Sequence, residues 1–292
     1  MGWGFKVRKQ ARMMDQLCQK SAHSCACGAV IEPSTPTEYE VDTPWGRVHI
    51  VRCPACNLAQ ERDFPTDRQL LEMYKSDNVY KPPSALEFCN EQNRFSQDVE
   101  NIRALGIVSG TVLEIGCNAG YALGAFRNAG FEVVGVEDND MCRECASKEH
   151  SITVVSSIDE IRSRSERFVV ILLSHVLEHI PRISEFLNKV RVVAPEAVLY
   201  IKVPNYKSPY VRHVLRGRGG VFLPLQHVWY FEPKSLENLL KRYGYELINV
   251  HTSDFLVSSH PNVGRRLATK ILGRLEYLMD SGHEIIGIFK PA

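Results

Sequence analysis

The residues best suited to proton transfer lie in the segment Ser174-His-Val-Leu-Glu-His179, where an apolar run ends. An imidazole accepts a proton near neutral pH, and a neighbouring carboxylate can orient it. A further histidine, His227, lies later in the chain. We expect His175 or His227 to act as a general base, with Glu178 and His179 as orienting partners. A single histidine is more often structural, but two histidines and a glutamate in one short segment favour a function.

A second set of residues has the spacing of metal ligands. Cys53-Pro-Ala-Cys56-Asn57 is typical of a zinc knuckle, in which a tight turn aims two thiolates at one point. Cys25-Ala-Cys27 can complete a tetrahedron of sulfur ligands, with Cys18 or His23 as substitutes for Cys25. Four protein ligands leave no open position for chemistry, so we expect a structural Zn²⁺ site. The alternative is four reduced cysteines in a loop-rich module.

The composition argues against several classes of protein. The chain has 292 residues, 44% of them hydrophobic, which is enough for a full α/β core and a small extra module. Its net charge of +1 gives no support for binding to nucleic acid or to a membrane surface. No apolar run approaches the roughly 20 residues of a membrane span, and no signal core follows the basic residues near the start. The nine cysteines are unevenly clustered, so we expect a reducing, cytoplasmic location.

A glycine-rich turn is the element that should position a ligand. In the segment Val112–Gly120 a predicted strand ends in an acid, Glu114, and a glycine turn follows, so that the segment contains the pattern Glu114-x-Gly116-x-Asn118-x-Gly120. A helical pattern begins at Tyr121. Strand, glycine turn and helix form the opening unit of a nucleotide-binding α/β sheet. The second and third glycines of a dinucleotide fingerprint are absent, and so is the Gly-Lys-Ser/Thr of a phosphate loop. An acid at the strand end favours a positively charged ligand over a pyrophosphate.

Further strands are predicted on both sides of the histidine segment. Glu132–Glu137 ends in an acid about 20 residues after the turn, where such a fold places the carboxylate that binds ribose hydroxyls. Phe168–His175 is apolar almost throughout, as a central parallel strand requires. Ligands bind at the carboxyl ends of these strands, between the first and the fourth, so His175 should meet a substrate there. The remaining predicted strands are Thr153–Ser156, Ala197–Asn205, Tyr245–Val250 and His283–Phe289.

Two segments should cover the site. Between predicted helices that begin near Thr66 and Ser84, residues 77–83 with Tyr80 form either a lid or a plain linker. The second helix should pack one face on the sheet, formed by Phe95, Val99, Ile102 and Leu105. Residues 206–226 break the strand–helix alternation and carry Lys207, Arg212, His213, Arg216 and Arg218. Clustered arginines suit a phosphate or carboxylate on the substrate, and a solvated basic helix is the alternative.

The glycine turn resembles motif I of the class I S-adenosylmethionine-dependent methyltransferases. From about residue 110 onward, the resemblance implies an α/β fold with a Rossmann-like, seven-stranded sheet whose last strand is antiparallel. It also implies S-adenosylmethionine as cofactor. Asn118 replaces the middle glycine of the family motif, which is a mild departure because asparagine tolerates unusual backbone angles. The cofactor-binding residues that it implies are Glu114, Gly116, Cys117, Asn118, Gly120, Tyr121, Glu137, Asp138, Ser156, Ser157, Ser174 and Tyr80.

The histidine segment is similar to the His-x-x-Glu-His stretch of small-molecule methyltransferases of this class. Some quinone O-methyltransferases bear Glu-x-x-Glu-His there and use it to bind a metal. Because His175 replaces the first glutamate, we do not extend the metal-binding role of those enzymes to this segment. Glu178 and His179 keep the role of orienting partners for a histidine base.

As a whole, the chain resembles methyltransferases with an N-terminal zinc-binding domain, a group that includes sugar C-methyltransferases acting on nucleotide-linked keto-sugars. This implies a zinc-binding module over residues 1–65, a helical connector or lid over residues 66–109, and a methyltransferase domain over residues 110–292 with a substrate-side insertion at residues 206–226. The expected acceptor is a small molecule, such as a sugar, a sugar nucleotide or another natural-product or glycan precursor, that can carry a phosphate or nucleotide. Two alternatives stay open: an RNA or protein methyltransferase that uses the cysteine module for recognition, and a non-catalytic cofactor-binding homologue.

Overall fold

The computed structural model describes residues 23–43, 46–66, 95–161, 167–208, 223–253 and 282–292. The expectations for a helix after Thr66, for Tyr80 and its segment, for Cys18 and for Arg212 to Arg218 fall outside these ranges. Within them, no helix is both long enough and apolar enough to cross a bilayer.

The N-terminal part is built from short antiparallel strands that hold the cysteines in their turns. Strands β1 (His23–Ser24) and β2 (Val30–Ile31) form a hairpin, and β3 (Thr37–Thr43), β4 (Gly46–Arg52) and β5 (Ala59–Glu61) form a meander. Cys25 and Cys27 lie in the β1–β2 turn. Cys53 and Cys56 lie in the β4–β5 turn, where Asn57 adopts a left-handed conformation with φ of 63°. The two hairpins therefore bring the two cysteine pairs together.

The second part contains a seven-stranded sheet preceded by helix α1 (Ser96–Arg103). Along the chain its strands are β6 (Thr111–Ile115), β7 (Glu132–Val136), β8 (Thr153–Val155), β9 (Phe168–Ser174), β10 (Val198–Pro204), β12 (Tyr245–Ser253) and β13 (Glu284–Pro291). In space the order is β12-β13-β10-β9-β6-β7-β8. The last strand, β13, is antiparallel to both of its neighbours, while β6 to β10 pair in parallel. The predicted α/β sheet with an antiparallel last strand is confirmed.

Helices cover both faces of this sheet because its strands are apolar on both sides. On one face, α1 and α2 (Tyr121–Asn128) pack Val99, Ile102 and Phe126 against the sheet. The predicted apolar face of α1 is thus confirmed over its described residues. The other face packs against α5 (Ile183–Val193) and α6 (Pro233–Arg242). Two further helices, α3 (Asp140–His150) and α4 (Ile158–Ile161), follow β7 and β8.

One short strand links the two parts. Strand β11 (Trp229–Tyr230) pairs with β5, so that Trp229 lies opposite Gln60 and Tyr230 lies opposite Ala59. The four-stranded N-terminal sheet therefore takes its edge strand from a segment that follows β10 in the chain. Its apolar residues, such as Val51, share one buried cluster with residues of the large sheet. Sequence periodicity could not foresee this pairing, because it joins segments far apart in the chain.

Candidate active site

The glycine turn after β6 has a backbone that few residues other than glycine can adopt. Gly116, Asn118 and Gly120 all have positive φ, at 74°, 49° and 82°. A Cβ atom at Gly116 would lie 2.8 Å from Cγ2 of Val176, within the histidine segment. Asn118 adapts to its position by accepting a hydrogen bond from the Ala119 N–H, at 2.6 Å, with its own side chain. The turn therefore lies so close to the segment that carries His175 and His179 that a side chain at Gly116 would collide with it.

Glu137, which follows β7, is tied to this turn. One of its carboxylate oxygens accepts the N–H of Asn118 at 2.8 Å, and the other accepts the N–H of Asn139 at 2.9 Å. The group is buried, and burial raises its pKa above the usual value, although both backbone hydrogen bonds act in the opposite direction. Glu137 thus fixes the shape of the glycine turn, and its predicted role at a ribose stays a prediction.

Glu114, in β6, is buried beside the same turn. Burial raises its pKa well above the ordinary value, and the nearby acids Asp98 and Glu137 act in the same direction. Its Oε2 atom has no hydrogen-bond partner among the described residues. A buried carboxyl oxygen without a partner is costly, and it is suited to a ligand that carries a donor. This oxygen and the strained turn fit the amino-acid end of S-adenosylmethionine.

The other implied cofactor residues are distributed around the turn. Cys117 is buried, Tyr121 begins α2, and Asp138 is exposed directly after Glu137. Ser174 ends β9, beside Lys202 in the sheet register. Ser156 is exposed, and its N–H and hydroxyl both donate to Glu160, while Ser157 accepts the N–H of Asp159. Tyr80 lies outside the described residues.

His175 lies between two buried carboxylates. Its Nε2 is 2.7 Å from Oε1 of Glu284, and its Nδ1 is 3.3 Å from Oε1 of Glu178. Burial alone would lower the pKa of this histidine, but the hydrogen bonds to the two acids outweigh it and raise the pKa to about 10. The backbone at His175 is left-handed, with φ of 55°. The imidazole is therefore held as a cation.

His179 and His227 meet edge to face beside Glu178. The ring centroids are 4.5 Å apart with an angle of 78° between the planes. Nδ1 of His179 lies 2.9 Å from the carbonyl oxygen of Gln226, which leaves its Nε2 available. Single ligand atoms of Glu178, His179 and His227 all lie within 4.8 Å of one another, a spacing that could also hold a metal ion. The structure thus brings His179 and His227 together beside Glu178.

A buried ionic chain that we did not predict extends from His175 across the sheet. Glu284 also contacts Lys202 at 3.6 Å, and Lys202 contacts Asp98 of α1 at 3.1 Å. Asp98 in turn accepts the hydroxyl of Tyr200 at 2.6 Å. Glu284, Lys202 and Asp98 are charged residues on otherwise apolar faces of a strand or a helix. This pattern is visible in the sequence and could have been used to find them. Charge on such faces commonly marks a functional site.

The four predicted cysteine ligands form a second cluster, remote in sequence from the histidines. Sγ of Cys25 is 3.6 Å from that of Cys56, and Sγ of Cys27 is 3.5 Å from that of Cys53. All four sulfurs lie within 4.8 Å of one another, and none forms a disulfide. Sulfurs that surround one zinc ion tetrahedrally at 2.3 Å are about 3.8 Å apart. The cluster could therefore hold a metal ion.

Fold, glycine turn and carboxylates together define a methyl-transfer domain of the S-adenosylmethionine-dependent class. Residues 89–250 match the family model described as a methyltransferase domain. This match spans more than half of the chain, so the chain belongs to that family and carries a class I S-adenosylmethionine-dependent methyltransferase domain.

Two curated relatives are similar over part of their length. The C-methyltransferase NovU of Streptomyces niveus is 29% identical over 160 residues, which cover 52% of this chain and 37% of that protein. A ubiquinone biosynthesis O-methyltransferase of Bradyrhizobium sp. (strain ORS 278) is 32% identical over 113 residues, or 36% of this chain and 44% of that protein. The chain thus spans less than half of the length of these relatives.

Solved structures also resemble the chain. A SAM dependent methyltransferase from Archaeoglobus fulgidus is 18% identical with a TM-score of 0.48, over 67% of this chain and 94% of that chain. The plantazolicin methyltransferase BamL is 11% identical with a TM-score of 0.49, over 78% of this chain and 91% of that chain.

Proposed function

We propose that this chain transfers a methyl group from S-adenosylmethionine to a small molecule, with His227 as the general base. The observation that carries the proposal is the close approach of the glycine turn to the histidine segment, where a Cβ atom at Gly116 would collide with Val176. A cofactor held by the turn would present its methyl group to the histidines at the end of β9. The cofactor and the general base would then lie on the same side of the sheet edge, close to each other.

The choice of His227 over His175 follows from their surroundings. Both ring nitrogens of His175 face carboxylates, and its pKa is raised to about 10, so it has no free lone pair near neutral pH. His227 faces the neighbouring imidazole of His179 and lies in the cluster with Glu178. His179 and Glu178 then serve as orienting partners, and the His175 cation balances the charge of Glu178.

The protein's share of the catalysis is alignment and proton removal. S-adenosylmethionine, when bound, supplies an activated methyl group. Glu137 and the glycine turn hold the cofactor, and Glu114 faces its amino-acid end. Aligning two reactants contributes up to roughly 7–11 kcal/mol. A positioned base contributes about 10²–10⁴-fold in rate.

The acceptor class in this proposal is a sugar, a sugar nucleotide or a related natural-product or glycan precursor. The named relatives support a small molecule, because one is a C-methyltransferase and the other acts in ubiquinone biosynthesis. The near-neutral charge speaks against RNA, which a basic surface would bind. The basic residues of the insertion would suit a phosphate or nucleotide on the acceptor.

We further propose that Cys25, Cys27, Cys53 and Cys56 hold a structural Zn²⁺ ion. The spacing of their sulfur atoms supports this, and four thiolates leave no open coordination position. The metal would then fix the β1–β2 and β4–β5 turns against each other and take no part in the chemistry.

Mass spectrometry with a labelled methyl donor tests the proposal. The purified protein is incubated with small-molecule extracts and with S-adenosylmethionine that bears a trideuterated methyl group, and His227→Ala serves as the control. We expect the label in a small molecule with the wild type and a much smaller amount with the variant. Label in RNA or protein would favour the recognition alternative, and cofactor binding without transfer to any fraction would favour a non-catalytic homologue.

A further inference from the structure

Glu61, at the end of β5, contacts the segment around His227 with both its backbone and its side chain. Its N–H donates to the carbonyl of Val228 at 3.0 Å. Its Oε1 atom accepts the N–H of Leu225. The two contacts lie on opposite sides of His227 in the chain. A residue of the N-terminal sheet therefore contacts the chain on both sides of the proposed base.

The segment that Glu61 contacts has a conformation that needs support. Leu225 has a φ of 76°, a left-handed backbone that is unfavourable for a leucine and persists only when its surroundings impose it. The N–H of His227 donates to the carbonyl of Leu223 at 2.7 Å, and the carbonyl of Gln226 accepts His179. Support for Leu225 thus determines how the two histidines approach each other.

The carboxyl group of Glu61 is in a fully buried position and is not part of an ion pair in the described residues. Its Oε1 also accepts the hydroxyl of Tyr230, at 3.3 Å. Burial raises the pKa of Glu61 to about 8. A neutral carboxyl group still accepts hydrogen bonds through its carbonyl oxygen. The contact to Leu225 therefore requires the acceptor oxygen rather than a charge.

A second anchor lies on the other side of the same segment. The N–H of Val228 donates to the carbonyl of Glu178 at 2.8 Å, so Val228 links Glu61 and Glu178 through its own backbone. The indole N–H of Trp229 donates to the carbonyl of Ile180 at 2.8 Å. The His227 segment is thus held between the N-terminal sheet and the end of β9.

We propose that Glu61 is a positioning residue that holds the Leu225–Val228 segment and thereby sets the place of His227. The catalytic part of this inference rests on the proposed function of His227. An essential part of the active site is then supplied by the N-terminal module, which acts through another residue and does not touch the reacting atoms.

Amide hydrogen exchange tests this contact without any acceptor molecule. Exchange of the Leu225 amide is followed in the wild type and in Glu61→Leu and Glu61→Gln, with Gln60→Leu as a matched control on the same strand. In Glu61→Leu the amides of residues 225–228 should exchange about tenfold faster, as loss of one buried hydrogen bond predicts. Glu61→Gln keeps a carbonyl oxygen at the same position and should restore protection, and Gln60→Leu should leave it intact.

If Glu61→Leu does not fold, exchange of the Leu225 amide in the wild type still tests the proposed contact. An unprotected Leu225 amide in the folded wild type would overturn the proposal, and so would equal exchange in Glu61→Leu and wild type. Equal losses in Glu61→Gln and Glu61→Leu would contradict the role of the acceptor oxygen.

A kinetic experiment tests the catalytic part, with the acceptor that the labelled-methyl experiment identifies. Glu61→Leu should lower kcat and leave the KM for S-adenosylmethionine unchanged, while Glu61→Gln recovers most of the kcat. A loss of protection at Leu225 with unchanged kcat would show that the segment does not position the base. Absence of methyl transfer in the wild type would instead contradict the proposed function, and the exchange result would stand.

Discussion

Nε2 of His175 lies 2.7 Å from Oε1 of Glu284, although 109 positions separate the two residues in the chain. The contact links the end of β9 to the start of β13. Burial raises the pKa of Glu284, but the hydrogen bond from His175 and the charge of Lys202 outweigh it and bring the pKa down to about 2. The pair is thus an imidazolium and a carboxylate, and this is why we place the catalytic base elsewhere.

The pH dependence of stability should reveal this ion pair. Because the pKa of His175 is raised from 6.5 to about 10 in the folded state, its stabilising effect is complete below pH 6.5 and is lost as the pH rises through about 10. His175→Asn removes the charge and suits the left-handed backbone. Urea denaturation from about pH 6 to about pH 10 should show the variant less stable at the low end and the difference shrinking toward the high end.

A stability difference between wild type and His175→Asn that stays constant over this range would contradict the assignment. Lys234→Asn is a suitable control, because Lys234 is exposed and pairs with Glu237 only on the surface. Its effect on stability should be small at every pH, since surface ion pairs contribute little.

Glu137→Ala should weaken cofactor binding. The variant loses two hydrogen bonds that hold the turn and a carboxylate that we expect at the ribose. Hydrogen bonds to a charged group contribute about 1.5–3 kcal/mol, so the Kd for S-adenosylhomocysteine should rise about 10- to 100-fold. Isothermal titration calorimetry measures this. Glu132→Ala, at the exposed start of the same strand, should leave the Kd unchanged.

His227→Ala should lower turnover about 10²–10⁴-fold and leave the affinity for the cofactor near normal. In the proposed function the cofactor contacts the turn and the carboxylates, whereas the histidine acts on the acceptor. His49→Ala, in the N-terminal sheet, is the matched control and should retain turnover. Unchanged turnover in His227→Ala would remove this residue from the mechanism.

Chelation distinguishes a base from a metal ligand at His227. Glu178, His179 and His227 could bind a divalent ion, which would polarise the acceptor as a Lewis acid. With His227 as a base, EDTA should leave turnover intact as long as the cysteine cluster keeps its metal. Added Zn²⁺ should inhibit, because a coordinated imidazole cannot accept a proton. Activation by Zn²⁺ would reverse this interpretation.

Cys53→Ser should release the metal and destabilise the N-terminal sheet. The β4–β5 turn that contains Cys53 leads directly to Glu61, so the loss of metal should also increase amide exchange at Leu225. Elemental analysis should find one zinc per wild-type chain and less in the variant. Cys145→Ser, outside the cluster, should retain the metal. If Cys53→Ser lost its metal and the Leu225 amide stayed fully protected from exchange, the cysteine cluster would have no influence on the histidine site.

Local patterns were sufficient for much of the fold. The apolar runs with acids or glycines at their ends predicted the strands of the large sheet to within a few residues, as at β6, β7 and β9. Asn118 was expected to tolerate unusual angles and has a φ of 49°. The Cys-Pro-Ala-Cys spacing predicted the cysteine cluster. These features depend on residues close together in the chain, where backbone geometry follows from residue type.

Long-range pairing decided the rest. Periodicity cannot tell that Trp229 and Tyr230 complete the sheet of the N-terminal module, nor that Glu61 reaches Leu225. The protonation of His175 also could not be read from its own segment, because Glu284 arrives on the last strand. The sequence by itself therefore determined which side chains are available for chemistry. Only the tertiary structure decided which histidine faces carboxylates, since hydrogen-bond partners and burial depend on chain segments that meet in space.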